Sequence, residues 1–156
     1  MKTETEPRLT LNDKRVLVAE RAKVKLEKAL KNGDWGAIDK MIPTAARLAG
    51  VMAWAEGLLV GEAFPVHDPN VQDLALSLWA ASKHEFNEKL RARCFKLMLD
   101  SDSEAVRFRA AHALAVHDDA RAEVMKTLTE ATNSNDPDVA RAALSLGKQP
   151  GKGTLT

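Results

Sequence analysis

Tyrosine is absent from this chain of 156 residues, cysteine occurs once, and aromatic residues make up only 4%. Strands draw on aromatic and β-branched residues, and no run here shows sustained period-two alternation, so nothing argues for a sheet. A lone Cys94 closes no internal disulfide and suits a reducing compartment. The opening Met1 to Pro7 is polar and has no apolar core of a signal peptide, so the expected location is cytoplasmic. An excess of one charge is also missing: 23 Lys and Arg face 22 Asp and Glu, a net charge of +1. No global field therefore steers the chain to nucleic acid or membrane, and any charged site must be local. Long apolar runs are lacking too. The longest, Leu48 to Val66, carries Glu56 and Glu62 and is broken by Gly50, Gly57 and Gly61, which makes it a poor bilayer span.

What is present is ordinary globular material, 45% hydrophobic and 29% charged. A chain of this length makes one domain and buries roughly two-thirds of its unfolded surface without disulfides or metal. Its organisation is a repeat. Asp34, Asp68, Asp102 and Asp136 stand 34 residues apart, each opening a polar stretch before a helical pattern. The helix before each Asp carries an apolar stripe in the same register. Ala120, Val124, Leu128 and Ala131 step by four, four and three, as one face of an α-helix does. Subtracting the period gives Phe86, Leu90, Cys94 and Leu97, then Met52, Glu56, Val60 and Ala63, then Val18, Ala22, Leu26 and Ala29. Only Glu56 breaks the apolar pattern.

A second helix, rich in small residues, follows each Asp. Pro69 and Pro137 sit at first-turn positions where a missing N–H removes no helical bond, with Asp68 and Asp136 as caps. Asp102 with Ser103 caps the middle copy. Val71, Ala75 and Leu78 recur as Val139, Ala143 and Leu146, and one residue late as Val106, Ala110 and Ala113. In the first copy Pro43 falls inside the pattern and is expected to kink or end the helix near Ile42 to Thr44. These patterns predict four helical hairpins, with first helices near 13–32, 45–64, 84–99 and 119–132 and second helices near 35–42, 69–82, 103–116 and 137–147. The expected fold is all-α, an α-solenoid occupying residues 13–148, with a flexible arm at 1–12 and a flexible tail at 149–156.

Asp68-Pro-Asn-Val71 with Ala75, Asp102-Ser-Glu-Ala-Val106-Arg107 with Ala110, Ala111 and Leu114, and Asp136-Pro-Asp-Val139 with Ala143, Leu146 and Gly147 resemble HEAT and HEAT-like repeats. Residues 67–148 carry the motif resemblance, whereas 13–66 share only the register. The family's arginine stands in place once, at Arg107; Gln72 and Ala140 occupy the position in the other copies, with Arg141 one step on. Tetratricopeptide repeats share the period, but their signature needs a tyrosine this chain does not have. The resemblance implies an α-solenoid binding scaffold rather than a reaction, since only a minority of such proteins are enzymes.

Candidate chemistry is sparse. The histidines are His67, His84, His112 and His117; His112 and His117 stand five apart, off the usual spacing of a zinc helix. Cys94 lies on an apolar stripe and reads as core. Asp118 and Asp119 read as a helix cap. Gly57 and Gly61 lack the Gly-Lys-Ser/Thr of a phosphate loop and suit close packing of two helices instead. No catalytic set, metal site or cofactor is expected.

Surface charge is more informative. Lys89, Arg93 and Lys96 stand opposite Glu123, Thr127 and Glu130 in the next hairpin, as neighbouring helices of a stack do when they pair charges. Their counterparts Arg21, Lys25 and Lys28, with Lys14 earlier on the same helix, have little to pair with. From Lys14 to Lys31 seven basic and two acidic residues leave +5 on one helix. Leu17 and Val24 lie off that helix's buried face and offer a seam for self-association, or a surface covered by the N-terminal arm. Trp35, Trp54 and Trp79 read as filler of core and inter-repeat gaps.

The leading functional expectation is a non-catalytic protein-interaction scaffold that meets its partner through Gln72, Arg107, Arg109 and Arg141 on the second helices. A second is a nucleic-acid-associated protein using Lys14, Arg21, Lys25 and Lys28. A third, of little weight, is an enzyme resembling the HEAT-like DNA glycosylases, which need a larger array and an acid beside aromatics.

Overall fold

A computed structural model describes residues 9–61 and 68–147. Among them there are eight helices and no strand: α1 (Leu11–Lys31), α2 (Trp35–Ala45), α3 (Ala49–Val60), α4 (Pro69–Ala81), α5 (Glu88–Asp100), α6 (Glu104–Val116), α7 (Ala122–Ala131) and α8 (Pro137–Gly147). The all-α expectation is met. Residues 1–8 and 148–156, which make up most of the expected arm and the whole of the expected tail, lie outside the described residues, as do Glu62, Ala63 and His67.

Three of the four aspartates spaced by 34 accept an N–H from the first turn of the helix that follows. Asp34 accepts the Ala37 N–H at 3.1 Å, Asp68 accepts that of Asn70 at 2.9 Å, and Asp136 accepts that of Asp138 at 2.9 Å. In the third copy the cap is Ser103, whose hydroxyl accepts the Val106 N–H at 3.2 Å. Each bond satisfies a helix N–H that has no partner within its own helix.

The first helices differ more from expectation. α1 begins at Leu11 because Thr10 and Asp13 form a reciprocal capping box, each side chain accepting the other's backbone N–H at 3.0 Å. Residues 11 and 12 thus belong to the helix rather than the arm. α2 runs through Pro43 to Ala45 instead of stopping at Ile42. The proline sits in the last turn, where its missing N–H deprives only the carbonyl of exposed Asp39, which water can reach. α3 therefore starts late, and neither it nor α7 has a side-chain cap to mark its start. α5 starts late as well, at Glu88, because Ser82 holds a turn by accepting the His84 N–H at 3.0 Å and Asn87 then caps the helix through the Leu90 N–H.

α1 packs on α2, α3 on α4, α5 on α6 and α7 on α8. Odd-numbered helices also pack in succession, α1 on α3, α3 on α5 and α5 on α7, and the even-numbered ones do likewise. α6 touches α4, α5, α7 and α8, and one hydrophobic core runs from Ala19 in α1 to Ala143 in α8. Leu90, Cys94 and Leu97 of α5, and Val124, Leu128 and Ala131 of α7, are buried in the expected register. So are Val106, Ala110 and Ala113 of α6, and Val139 and Ala143 of α8.

In α3 the stripe is rotated. Val51, Met52, Ala55 and Leu59 are buried, while Glu56 and Val60 are only half-buried. A Cβ on Gly50 would stand 2.8 Å from the Ala19 Cβ, so α1 and α3 approach closely at this glycine, and that seating turns the helix. Glu56 then reaches the edge, where the Asn87 amide donates to its carboxylate at 3.3 Å. The close approach is not at Gly57, where an added Cβ would meet nothing within 4 Å among the described residues, nor between helices at Gly61, where it would meet only the Gly57 backbone.

Two helices end in the same motif. After α1, the Asp34 N–H reaches the Ala29 carbonyl at 2.8 Å and the Gly33 N–H that of Leu30 at 3.0 Å, with Gly33 at φ +67°. After α6, Asp119 and Asp118 bond Leu114 and Ala115 in the same way, but the left-handed position is held by Asp118 at φ 66°. A side chain is strained there, so Asp118→Gly is expected to stabilise the fold by about 0.5–1 kcal/mol. Thermal unfolding should show a Tm a few degrees higher, and an unchanged or lower Tm would contradict this account.

Candidate functional site

The second-helix surface expected to meet a partner is largely occupied by internal contacts. Gln72 is 6% exposed and belongs to the core of α4, so it is removed from that surface. Arg107 donates from Nη1 to the Ser101 carbonyl at 2.7 Å and holds the turn before its own helix. Arg109 bridges α6 to α4, donating from Nε to Asp73 at 3.2 Å while its guanidinium lies 5.4 Å from the Phe108 ring centroid. Burial pushes the Asp73 carboxyl up, against the opposing pull of Arg109 and the Ser77 hydroxyl. Arg141 alone of the four is well exposed, with Asp138 one turn away at 3.3 Å.

A polar corner that the sequence did not signal forms where α6 turns into α7. Asp119 is buried and accepts from Arg121 Nε at 3.0 Å, Nη2 at 2.7 Å and backbone N–H at 3.2 Å, and from Arg91 Nη1 of α5 at 3.3 Å. It is no helix cap. The Arg121 bonds, aided by Arg91, hold its carboxyl well below the ordinary range, at about 2. Arg91 Nη2 also donates to the His117 carbonyl at 3.2 Å, and the Arg121 guanidinium lies 3.8 Å from the Phe95 ring centroid. His117 stacks on Phe86 at 4.3 Å, and its Nε2–H donates to the Trp79 carbonyl at 2.9 Å. Burial keeps its imidazole below the usual pKa. An open concavity of about 850 Å³ lies over this corner, bordered by Glu88, Arg91, Phe95, His117, Asp119 and Arg121. Its acid is neutralised by two arginines and its histidine is held by a carbonyl, so the geometry serves to fix a turn rather than to move protons. Adjacent spacing hid it: Asp119 and Arg121 are two apart, and Arg91 is 28 residues earlier.

Cys94 is fully buried, and burial pushes its thiol up to about 12, which leaves it a packing residue. Trp35 and Trp54 pack against the core from its edge, and Trp79 is buried in it. His112 and His117 do not converge, and no group of three or more His, Cys, Asp or Glu among the described residues is arranged to hold a metal ion. Of the basic residues on α5, two reach other elements. Arg93 turns to α3 and donates to the Leu59 carbonyl at 2.9 Å, and the bridge to the α6–α7 turn comes from Arg91. A shallow groove of about 500 Å³ collects Arg47, Lys83 and His84 where α2 and α4 end, positions at which cations complement helix C-termini.

The remaining surface is α1. At 21 residues it outruns the 12 of α3, and none of residues 11–18 is buried. Lys14, Arg21, Lys25 and Lys28 are all exposed, as expected, and fall within an arc of about 60° along about 21 Å of helix. Among the described residues they enter no ion pair, whereas Lys23 on the other side pairs with Glu20 at 2.8 Å. Leu17 is 40% exposed and Val24 61%. Val18, assigned from sequence to the buried stripe, is 47% exposed and stands with Leu11, 65% exposed, on the other flank of the basic arc. The signal was there in the second seven-residue step, Leu11 to Val18 beside Leu17 to Val24. Among the described residues no helix is long and apolar enough to cross a membrane. Comparison of the chain with protein-family models, curated proteins and solved structures found no match.

Proposed function

We propose that this chain is a non-catalytic protein-interaction module, a short α-solenoid of four antiparallel HEAT-like hairpins acting in a reducing, cytoplasm-like compartment. Three features support the solenoid: the aspartates spaced by 34, the pairing of consecutive helices, and the succession of odd on odd and even on even helices. The observation that carries the interaction reading is α1 and the residues just before it, where Leu9, Leu11, Val16, Leu17, Val18 and Val24 are all exposed, a local concentration of large apolar side chains in water of the kind that marks binding surfaces. Arg141 adds an exposed cation at the other end of the array.

The test is capture of partners from the native source by the immobilised full chain, with and without nuclease. A stoichiometric protein partner that survives nuclease treatment is the expected result. Recovery of nucleic acid alone, or of proteins only when it is intact, would overturn the reading.

A second reading keeps the basic arc and assigns it to nucleic acid, favoured by four exposed cations that enter no ion pair among the described residues. It expects duplex binding that falls steeply with salt and disappears in Arg21→Glu with Lys25→Glu. No binding at low salt removes it. The glycosylase-like alternative has least support, because Asp119, the acid nearest the aromatic cluster, is tied to Arg91 and Arg121.

A further inference from the structure

Written as heptads, α1 places Lys14, Arg21 and Lys28 at one seam position and Leu17 and Val24 at the other, with Leu11 and Val18 one step outside. The exposed surface is thus a basic line with Leu17 and Val24 along one side and, over its N-terminal half, Leu11 and Val18 along the other, where Lys25 takes the next step. An arrangement of this kind selects among occupants. A second copy of the chain would bring Lys14, Arg21 and Lys28 against their own counterparts, an uncompensated set of like charges in a seam, so self-association through Leu17 and Val24 is disfavoured. A lipid surface would need the apolar residues at the centre and the cations at the rim, where they can reach headgroups; here the order is reversed. Nucleic acid would use the cations and leave the four apolar side chains idle. The neighbouring segments of the chain are no better suited: residues 1–8, Met-Lys-Thr-Glu-Thr-Glu-Pro-Arg, offer one apolar side chain besides proline, and residues 148–156 offer one leucine.

We propose that this face of α1 is the docking site for an acidic amphipathic helix of a partner protein, whose carboxylates meet Lys14, Arg21, Lys25 and Lys28 while its apolar side chains cover Leu17 and Val24 on one flank and Leu11 and Val18 on the other. It rests on the interaction-module reading and names the partner's chemistry. The mode is two helices packed side by side, with apolar contact supplying affinity and charge setting partner choice and register. The length fits, since four turns between Lys14 and Lys28 allow a partner helix to engage all four cations.

The test uses the full chain and a synthetic helical peptide carrying Glu at one heptad seam position and Leu at the other, with a Lys-for-Glu peptide as its counterpart, read by fluorescence anisotropy. The Glu peptide is expected to bind and the Lys peptide not. The double variant Arg21→Glu, Lys28→Glu should lose at least about tenfold in affinity for the Glu peptide and gain affinity for the Lys peptide, a reversal that mere loss of fold does not produce. Leu17→Ser with Val24→Ser should weaken the Glu peptide about tenfold at high salt as well as low, because that part of the binding is apolar. Equal binding of both peptides, or of neither, overturns the proposal. So does tighter binding to phosphatidylserine-containing vesicles or duplex DNA than to the Glu peptide, or a dimer in sedimentation at micromolar concentration. Where capture has already given a protein partner, its full retention by the charge-reversed chain sinks the α1 site and leaves the module reading standing.

Discussion

Replacement of Phe108 by alanine is expected to cost about 3–5 kcal/mol, a large part of the stability of a domain this size. Phe108 is 2% exposed and belongs to the helix that touches α4, α5, α7 and α8, so the cavity opens where packing has least freedom to collapse. Its ring also carries the Arg109 guanidinium at 5.4 Å and lies 6.1 Å from the His112 ring. Losing it releases the arginine that ties α6 to Asp73 of α4. Urea unfolding should show a lower midpoint with an unchanged slope, and thermal unfolding a Tm lower by about 10 °C or more. A loss under about 1 kcal/mol would mean that the α4–α6 seam is not the centre of the core.

Asp119→Ala is the second large effect, expected at about 2–3 kcal/mol, because it leaves half-buried Arg91 with only the more distant, exposed Glu88 carboxylate at 3.8 Å and frees the α6–α7 turn. The same residue governs an acid response. Its carboxyl is held at about 2 in the folded chain against the ordinary aspartate value of 3.8, so the folded state favours the ionised form. That contribution is whole above pH about 4 and is lost as the pH falls toward about 2. It amounts to about 1–2 kcal/mol, less than the full shift implies, since Arg121 stands partly in solvent and is screened. Stability measured from pH 7 to 2 should therefore fall less steeply between 4 and 2 in Asp119→Asn than in the parent chain. Parallel curves would show that Asp119 is not what couples this fold to acid.

These two residues differ in how far they could be read in advance. The start of the helix that carries Phe108 and its Val106, Ala110 and Ala113 stripe were legible, but Phe108 stands about 200° around from Val106, and its burial comes from the neighbours that cover α6 on both faces. Asp119 was visible only as half of an acidic pair before a helix; of its partners Arg121 is two residues on, and Arg91 comes from α5, 28 residues earlier. The candidate binding surface divides in the same way. Lys14, Arg21, Lys25 and Lys28 were legible as an unpaired basic stripe because helical spacing alone puts them on one arc. Gln72 was misplaced, since its exposure depends on how closely α4 seats against its neighbours.

What the sequence determined by itself was local: an all-α chain, the helix starts at Asp34, Asp68, Ser103 and Asp136, and the apolar stripes of α5 to α8. Each of these is decided within a few residues, by a cap that satisfies an end N–H or by a period that collects side chains on one face. Tertiary structure decided the rest. Contact at Gly50 and Ala19 rotated α3 and moved Glu56 to the edge, the seating of α4 buried Gln72, and the length of α1 beyond its neighbours left Val18 in water beside the basic arc. Such outcomes depend on which surface of a second helix arrives opposite, and the period of a single helix contains no record of that.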